Sequence, residues 1–229
     1  MQLPLHSATL PRHALLSGAM TVDPPSTVFV VDDDISVREA LQALIELSGS
    51  RVRVFDSAEA FLASEPASGP SCLVLDVGLP DLNGLDLQER IASDRAEMPI
   101  IFITGFGDIP TTVRAMKAGA AEFLTKPFDD EVLLAAIGAA LERSGAAVGE
   151  RAALKKLQDR YEALSRRERE VMGLVVAGLL NKQVGGELGI SEITVKAHRG
   201  RVMEKMMARS FAELVKMSER LGLTSTARR

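Results

Sequence analysis

Cysteine occurs once in this chain, at Cys72, and histidine only three times, at His6, His13 and His198. A single cysteine excludes an internal disulfide and suits a reducing compartment, here taken as the cytoplasm. Its place inside an apolar run marks it as a core thiol. No GxxxxGK(S/T) loop is present, so ATP is not expected to bind by that route. No apolar run approaches about 18 residues, and no transmembrane helix is expected. Residues 1–25 hold Pro4, Pro11, Pro24 and Pro25 but no basic segment followed by an apolar one. They read as a disordered tail rather than a signal peptide, with Met20 as a second candidate start. What is plentiful is apolar side chain: 46% of the 229 residues, enough for one large core or two small ones.

Charge is divided unevenly. Residues 26–143 carry 9 Lys and Arg against 20 Asp and Glu, a net of −11; residues 161–229 carry 13 against 8, a net of +5. An acidic front and a basic back suggest two domains with different partners, the basic one a weak pointer to nucleic acid.

The front alternates. Strand-like runs cover 28–31, 52–55, 72–75, 100–103 and 122–124, with helix-like stretches at 37–47, 58–63, 85–92, 111–118 and 131–141. Such alternation predicts an α/β fold, a five-stranded parallel sheet doubly wound with helices on both faces. Ligands of these folds sit at the carboxyl ends of the strands. Those ends are polar here. The first strand runs into Asp32, Asp33 and Asp34, the third into Asp76, the fourth into Thr104, and the fifth into Thr125, Lys126 and Pro127.

Like charges crowded on a rim repel, and burial raises their cost. A divalent cation removes the conflict. Oxygen donors without His or Cys favour a hard ion, Mg²⁺ first, which keeps waters and shares itself with phosphate. In this reading Asp76 is the nucleophile. Mg²⁺ and Lys126 neutralise an incoming phosphoryl group, and Thr104 donates a hydrogen bond to it. One strand-end acid ordinarily does no more than solvate a loop; the whole constellation is hard to explain that way.

Through VVDDD, LVLDVGLPDLNG, IIFITGFGD and FLTKPF, in that order, residues 26–143 resemble the receiver domain of bacterial two-component response regulators. The resemblance implies a flavodoxin-like fold with Asp76 as phosphoacceptor. It implies Asp33 as a direct Mg²⁺ ligand, Asp32 as a ligand through water, and a metal contact from the Gly78 carbonyl, where the side chain is free to vary. Thr104 and Lys126 match the phosphoryl-binding pair. Phe123 matches an aromatic switch position, although an ordinary core Phe would look the same. Pro127 is expected to follow a cis bond. No histidine sits in a phosphodonor context, so the donor is expected in trans, a sensor histidine kinase.

Residues 144–160 read as a semi-helical linker, with Gly145 and Gly149 as candidate breaks; continuation of the last receiver helix and a short coiled coil are the alternatives. From Tyr161 the pattern is helical to the end, a small all-α unit. Ser165 and Glu168 form a capping box for 166–177. Asn181 caps a helix to 188, Ser191 caps one to 206, and a last helix covers 211–221. Helix, glycine turn, helix predicts a helix-turn-helix. Residues 161–229 carry LSRREREVMGLVVAGLLNKQVGGELGISEITVKAHRGRVMEKM, which resembles the LuxR-type DNA-binding domain; with the receiver, the chain resembles the NarL/FixJ class, nearest its FixJ-like branch. One departure is the pair Gly185 and Gly186 inside the first helix of the motif, where the family often has Ala at the former; close helix packing or a less stable domain would follow.

On a helical wheel Val195, Val202 and Met206 share an apolar face, with His198 packed beside it. Ile193, Lys196, Ala197, Gly200 and Arg201 lie opposite. Lys196 and Arg201 are the candidates for base or phosphate contacts, Ala197 and Gly200 for close approach, and Thr194 and Lys182 for phosphate. Arg199 either joins them or bridges to an acid such as Glu168.

These observations predict a regulator that is phosphorylated on Asp76, pairs as a homodimer through 109–124, binds double-stranded promoter DNA and works with RNA polymerase. An enzyme is not expected. A phosphatase with an aspartyl nucleophile would want a second acid two residues on, where Gly78 stands. A basic domain that binds a protein instead of DNA is the third reading.

Overall fold

The computed structural model describes residues 26–105 and 108–223. The expected tail, with His6 and His13, lies outside the described residues. The described chain runs β1 (Thr27–Val31), α1 (Ile35–Leu47), β2 (Arg51–Phe55), α2 (Ala58–Leu62), β3 (Ser71–Asp76), α3 (Gly84–Ile91), β4 (Ile100–Thr104), α4 (Ile109–Lys117) and β5 (Glu122–Thr125). Five more helices follow: α5 (Asp130–Glu162), α6 (Arg166–Val176), α7 (Asn181–Leu188), α8 (Glu192–Met206) and α9 (Phe211–Arg220).

The strands form one parallel sheet in the order β2-β1-β3-β4-β5. Side chains alternate across it with period two. Phe29, Val31, Leu73, Leu75 and Phe102 point to one face and pack with Phe61 of α2, Leu87 of α3 and Ala115 of α4. Val28, Val30, Cys72, Val74, Ile101 and Ile103 point to the other and meet α1 and α5 through Leu41, Ile45, Leu133 and Ile137. Both faces are covered, which is why the interiors of β1, β3 and β4 are apolar instead of alternating with polar residues. Cys72 is a core thiol as expected, and burial pushes its pKa up to about 12.

Of the readings open for residues 144–160, the fifth helix takes the continuous one. It does not stop near residue 141 but runs on to Glu162, 33 residues in all from Asp130, about 50 Å at 1.5 Å per residue. Gly145 and Gly149 are absorbed within it. The reason lies in what holds the segment. Ser144 is buried and its hydroxyl accepts the Ser71 backbone N–H at 2.9 Å. A Cβ at Gly145 would stand 3.6 Å from the Pro70 ring, so this turn packs against the base of β3. Arg151 pairs with Glu97 at 3.3 Å. Tertiary contacts outweigh a glycine penalty of about 1 kcal/mol each. Part of α5 is also apolar enough on average to match a membrane span by length and composition, which a search for uninterrupted apolar runs does not show. Leu133, Ile137 and Ala140 of this helix are buried under the sheet.

The far end of α5 enters a second core. Leu157 and Leu164 pack with Met172 of α6, Val202 and Met206 of α8, and Leu214 of α9. A smaller cluster of Val171, Val175, Val184 and Val195 joins α6, α7 and α8. The Ser165–Glu168 capping box is present. Asn181, expected as a cap, is instead the first residue of α7. Leu180 precedes the helix, and its N–H is satisfied by the Gln183 side chain at 2.8 Å. The Asn181 amide oxygen is engaged elsewhere, by Arg199.

The two glycines of α7 differ in kind. A Cβ at Gly185 would fall 2.7 Å from the Ile190 carbonyl oxygen, where the chain doubles back through Gly189 at φ +64°. Close backbone approach therefore accounts for glycine where the LuxR-type domain often has Ala. At Gly186 a Cβ would meet nothing within 4 Å. Gly186→Ala is expected to stabilise the helical unit by about 0.5–1 kcal/mol. Gly185→Ala is expected to destabilise it by roughly 1–3 kcal/mol through overpacking. Urea unfolding of both variants, followed by the midpoint at constant slope, checks the opposite signs.

Candidate functional site

The parallel sheet brings the ends of β1, β3, β4 and β5 to one rim. Chain direction turns sharply after β1. Asp34 caps α1, its side chain accepting the Ser36 N–H at 2.8 Å, so this third acid of the run serves the helix rather than the rim. Asp32 is buried, with one carboxylate oxygen taking the Asp34 N–H at 2.9 Å. Asp33 is exposed beside it.

Asp76 ends β3 and is buried, one oxygen accepting the Gly78 N–H. Lys126, from the end of β5, reaches both acids. Its Nζ lies 2.6 Å from Asp32 Oδ2 and 2.9 Å from Asp76 Oδ1. The backbone holds it there. The Lys126 N–H donates to the Thr104 carbonyl at 2.7 Å, and the Lys126–Pro127 bond is cis, as expected. Burial works to lower the lysine's pKa, but its hydrogen bonds to Asp32 and Asp76 prevail and the net shift is upward. The ammonium therefore stays charged and screens the two carboxylates from each other. Thr104 is buried at the end of β4, paired in register with Thr125.

A pair of carboxylates that share one cation, with Asp33 alongside and only oxygen donors, fits a hard divalent ion that keeps several waters. Among the described residues no three His, Cys, Asp or Glu side chains form a ready cage. Two glycines shape this corner. At Gly78 a Cβ would stand 3.1 Å from Asp76 Oδ2, so this position has less room than expected. At Gly84, which sequence reading passed over, a Cβ would stand 2.5 Å from the Asp76 carbonyl oxygen. The Asn-Gly pair at 83–84 was the available signal: Asn83 caps α3, and Gly84 lets α3 start against the end of β3. Phe123 is half-buried on β5, its ring centroid 6.1 Å from that of Phe102.

The second constellation lies on α8. Val195, Val202 and Met206 are buried, whereas Lys196, Ala197, Gly200 and Arg201 are exposed on the other side, with Thr194 and Lys182 also exposed. Lys196 lies 3.5 Å from Glu192, one turn back. The Thr194 hydroxyl sits 2.8 Å from the Ser191 hydroxyl, so part of its capacity is spent at the helix cap. His198 is half-buried, its Nδ1 shielded from solvent. Arg199 does not bridge to Glu168. It donates to Asn181 and lies over the Phe211 ring at 5.5 Å, tying α8 to α7 and α9. Glu168 is already satisfied, by Lys205 at 2.7 Å and the Ser165 N–H at 2.8 Å.

The hydrogen bond from Lys205, then that from Ser165, lowers the Glu168 pKa from 4.5 to about 2. A depressed carboxylate pKa contributes stability that is complete above the unfolded value and is lost as pH falls through the folded one. The helical unit is therefore expected to lose on the order of 2 kcal/mol between about pH 5 and pH 2 from this group alone. In Glu168→Gln that portion of the acid-induced loss should vanish, and stability at neutral pH should be lower. Thermal melts of both proteins across this pH range check it.

Two family models match the chain: a response regulator receiver domain over residues 28–138 and the LuxR family of bacterial regulatory proteins over residues 162–218. Nodulation protein W of Bradyrhizobium diazoefficiens is 53% identical over 198 residues, covering 86% of this chain and 87% of the relative. The transcriptional regulatory protein FixJ of the same organism is 40% identical over 196 residues, 86% of this chain and 96% of its own. Among solved structures, the response regulator StyR superposes with a TM-score of 0.78 at 46% identity, covering 86% of this chain and 99% of that one.

Proposed function

The chain belongs to the two-component response regulators of the FixJ type, a receiver domain followed by a LuxR-type DNA-binding domain, and on that footing we propose that phosphorylation of Asp76 switches its binding to promoter DNA. The observation that carries the reading is the Lys126 ammonium held between Asp32 and Asp76 at the carboxyl end of the sheet. Receiver domains generally bind Mg²⁺. Here Asp33 and Asp76 would hold it directly, with the Gly78 carbonyl, and Asp32 through water. The ion supplies neutralisation of the phosphoryl oxygens.

The donor is the phosphohistidine of a sensor kinase. An Asp76 carboxylate oxygen attacks phosphorus, the P–N bond breaks, and the imidazole leaves. Lys126 then exchanges its bond to the Asp76 carboxylate for one to a phosphoryl oxygen, and Thr104 donates to another. The movement of Thr104 opens space beneath Phe123, whose ring rotates inward. The face from 109 to 124 is thereby reshaped. Ile109 there is 80% exposed, and Val113 and Met116 are half-exposed, an apolar surface suited to pairing with a second copy.

Two paired receivers at 26–143 carry two DNA-binding units at 161–229, joined through the 144–160 segment of α5. The product is a cytoplasmic transcription factor, not an enzyme, acting with RNA polymerase. Bivalence then raises affinity by about 10²–10⁴ without any new contact to DNA. Sustained phosphomonoester turnover would favour the phosphatase reading instead.

Asp76 is expected to take up phosphate from acetyl phosphate only with Mg²⁺ or Mn²⁺, and Asp76→Asn to abolish uptake. Intact-protein mass spectrometry reads this directly, and label on the Asn variant would identify a different acceptor. Lys196→Ala and Arg201→Ala should each weaken DNA binding. Loss of a base contact changes discrimination at one position by about 1–3 kcal/mol, whereas loss of a phosphate contact mainly reduces the salt slope. Titrations on matched and altered sites at several salt concentrations separate the two; no effect from either variant would remove α8 as the reading helix.

A further inference from the structure

Ile193 stands in the first turn of α8, on the far side from the buried Val195 and Val202, and is 80% exposed. Isoleucine gains nothing from folding in such a place, and its branched side chain is a poorer helix former than Ala. A single exposed apolar residue is ordinary. Its neighbours make this one different. Ala197 and Gly200 follow it on the same face, one and two turns on, and both are exposed. A Cβ at Gly200 would meet nothing within 4 Å, so folding does not demand glycine there. Lys196 and Arg201 flank the strip.

The face therefore has one bulky apolar knob at its N-terminal end, a shallow centre, and a cation on either side. A shallow centre lets a helix come close to base edges, and cations beside it suit phosphates. The knob needs an apolar partner at that depth. Within the major groove, the C5-methyl of thymine is the apolar group that a base pair presents. Resting on the DNA-binding reading above, we infer that Ile193 reads a thymine in each half-site by packing on this methyl. Its stiff χ1 fixes where its own methyl groups point, so little freedom is lost on contact. Glu192 and Thr194 on either side are engaged with Lys196 and Ser191.

Duplexes are selected from random-sequence DNA with the phosphorylated full-length chain. Each thymine of the selected half-site is then replaced singly by deoxyuridine, which lacks only the methyl. Wild type is expected to lose about threefold to fivefold in affinity at one position, roughly the worth of one buried methyl. Ile193→Ala should bind both duplexes equally at that position, and Ile193→Val should keep part of the preference. Because the side chain is exposed, Ile193→Ala should retain the wild-type melting temperature and low-salt binding to unselected DNA. Wild type indifferent to every replacement, or Ile193→Ala retaining the full penalty, would overturn the inference while the DNA-binding reading stands. Failure of wild type to select any duplex would overturn both.

Discussion

Two carboxylates that must lie close together beneath a single ammonium set the terms for the front of this molecule. Asp32 and Asp76 are both buried, and each contacts Lys126. Uncompensated, two such charges in a medium of low polarity would cost several kcal/mol. Compensation requires a lysine delivered from a strand two places away from β3, at the same end of the sheet. Only parallel strands bring β1, β3 and β5 to that end together. The covered faces and the tight start of α3 at Gly84 serve one placement. A site poised on mutual repulsion is also easily reset. Any cation or phosphoryl group that enters changes which charges need the lysine.

The rear unit solves a simpler problem. Short helices have small faces, so each must be fastened at its ends. Ser165 with Glu168, Ser191 and Ser210 cap three of them. Lys205 then ties α8 to the cap of α6, and Arg199 ties α8 to Asn181 at the start of α7. With these residues committed inward, the outward face of α8 carries side chains that the fold does not use.

Strand ends were legible because they are local. An apolar run that stops at Asp or Thr declares both a strand and its polar rim, so sequence alone places Asp32, Asp76, Thr104 and Lys126 on one rim. What escaped depended on packing between distant segments. The continuity of α5 past Gly145 depends on Ser71 and Pro70, some 70 residues earlier. The Arg199–Asn181 bond is not legible because Asn181 fits a helix cap equally well, and the Lys205 that occupies Glu168 comes from a distant helix. Gly84 has no local sign beyond the Asn-Gly pair that it completes, because the backbone it approaches belongs to β3. Hydrophobic period shows which face is buried, but not which polar side chains meet across the gap.

The uninterrupted α5 has a mechanical consequence. A flexible leash transmits distance and little else, but a helix also transmits rotation. Each residue inserted between the receiver and α6 would turn everything downstream by about 100° and advance it about 1.5 Å. Two added residues would nearly reverse the direction in which α8 faces; seven would restore it to within about 20°. Segment length is therefore a phase, like the keying of a drive shaft, and a working regulator of this build can change it only in certain steps.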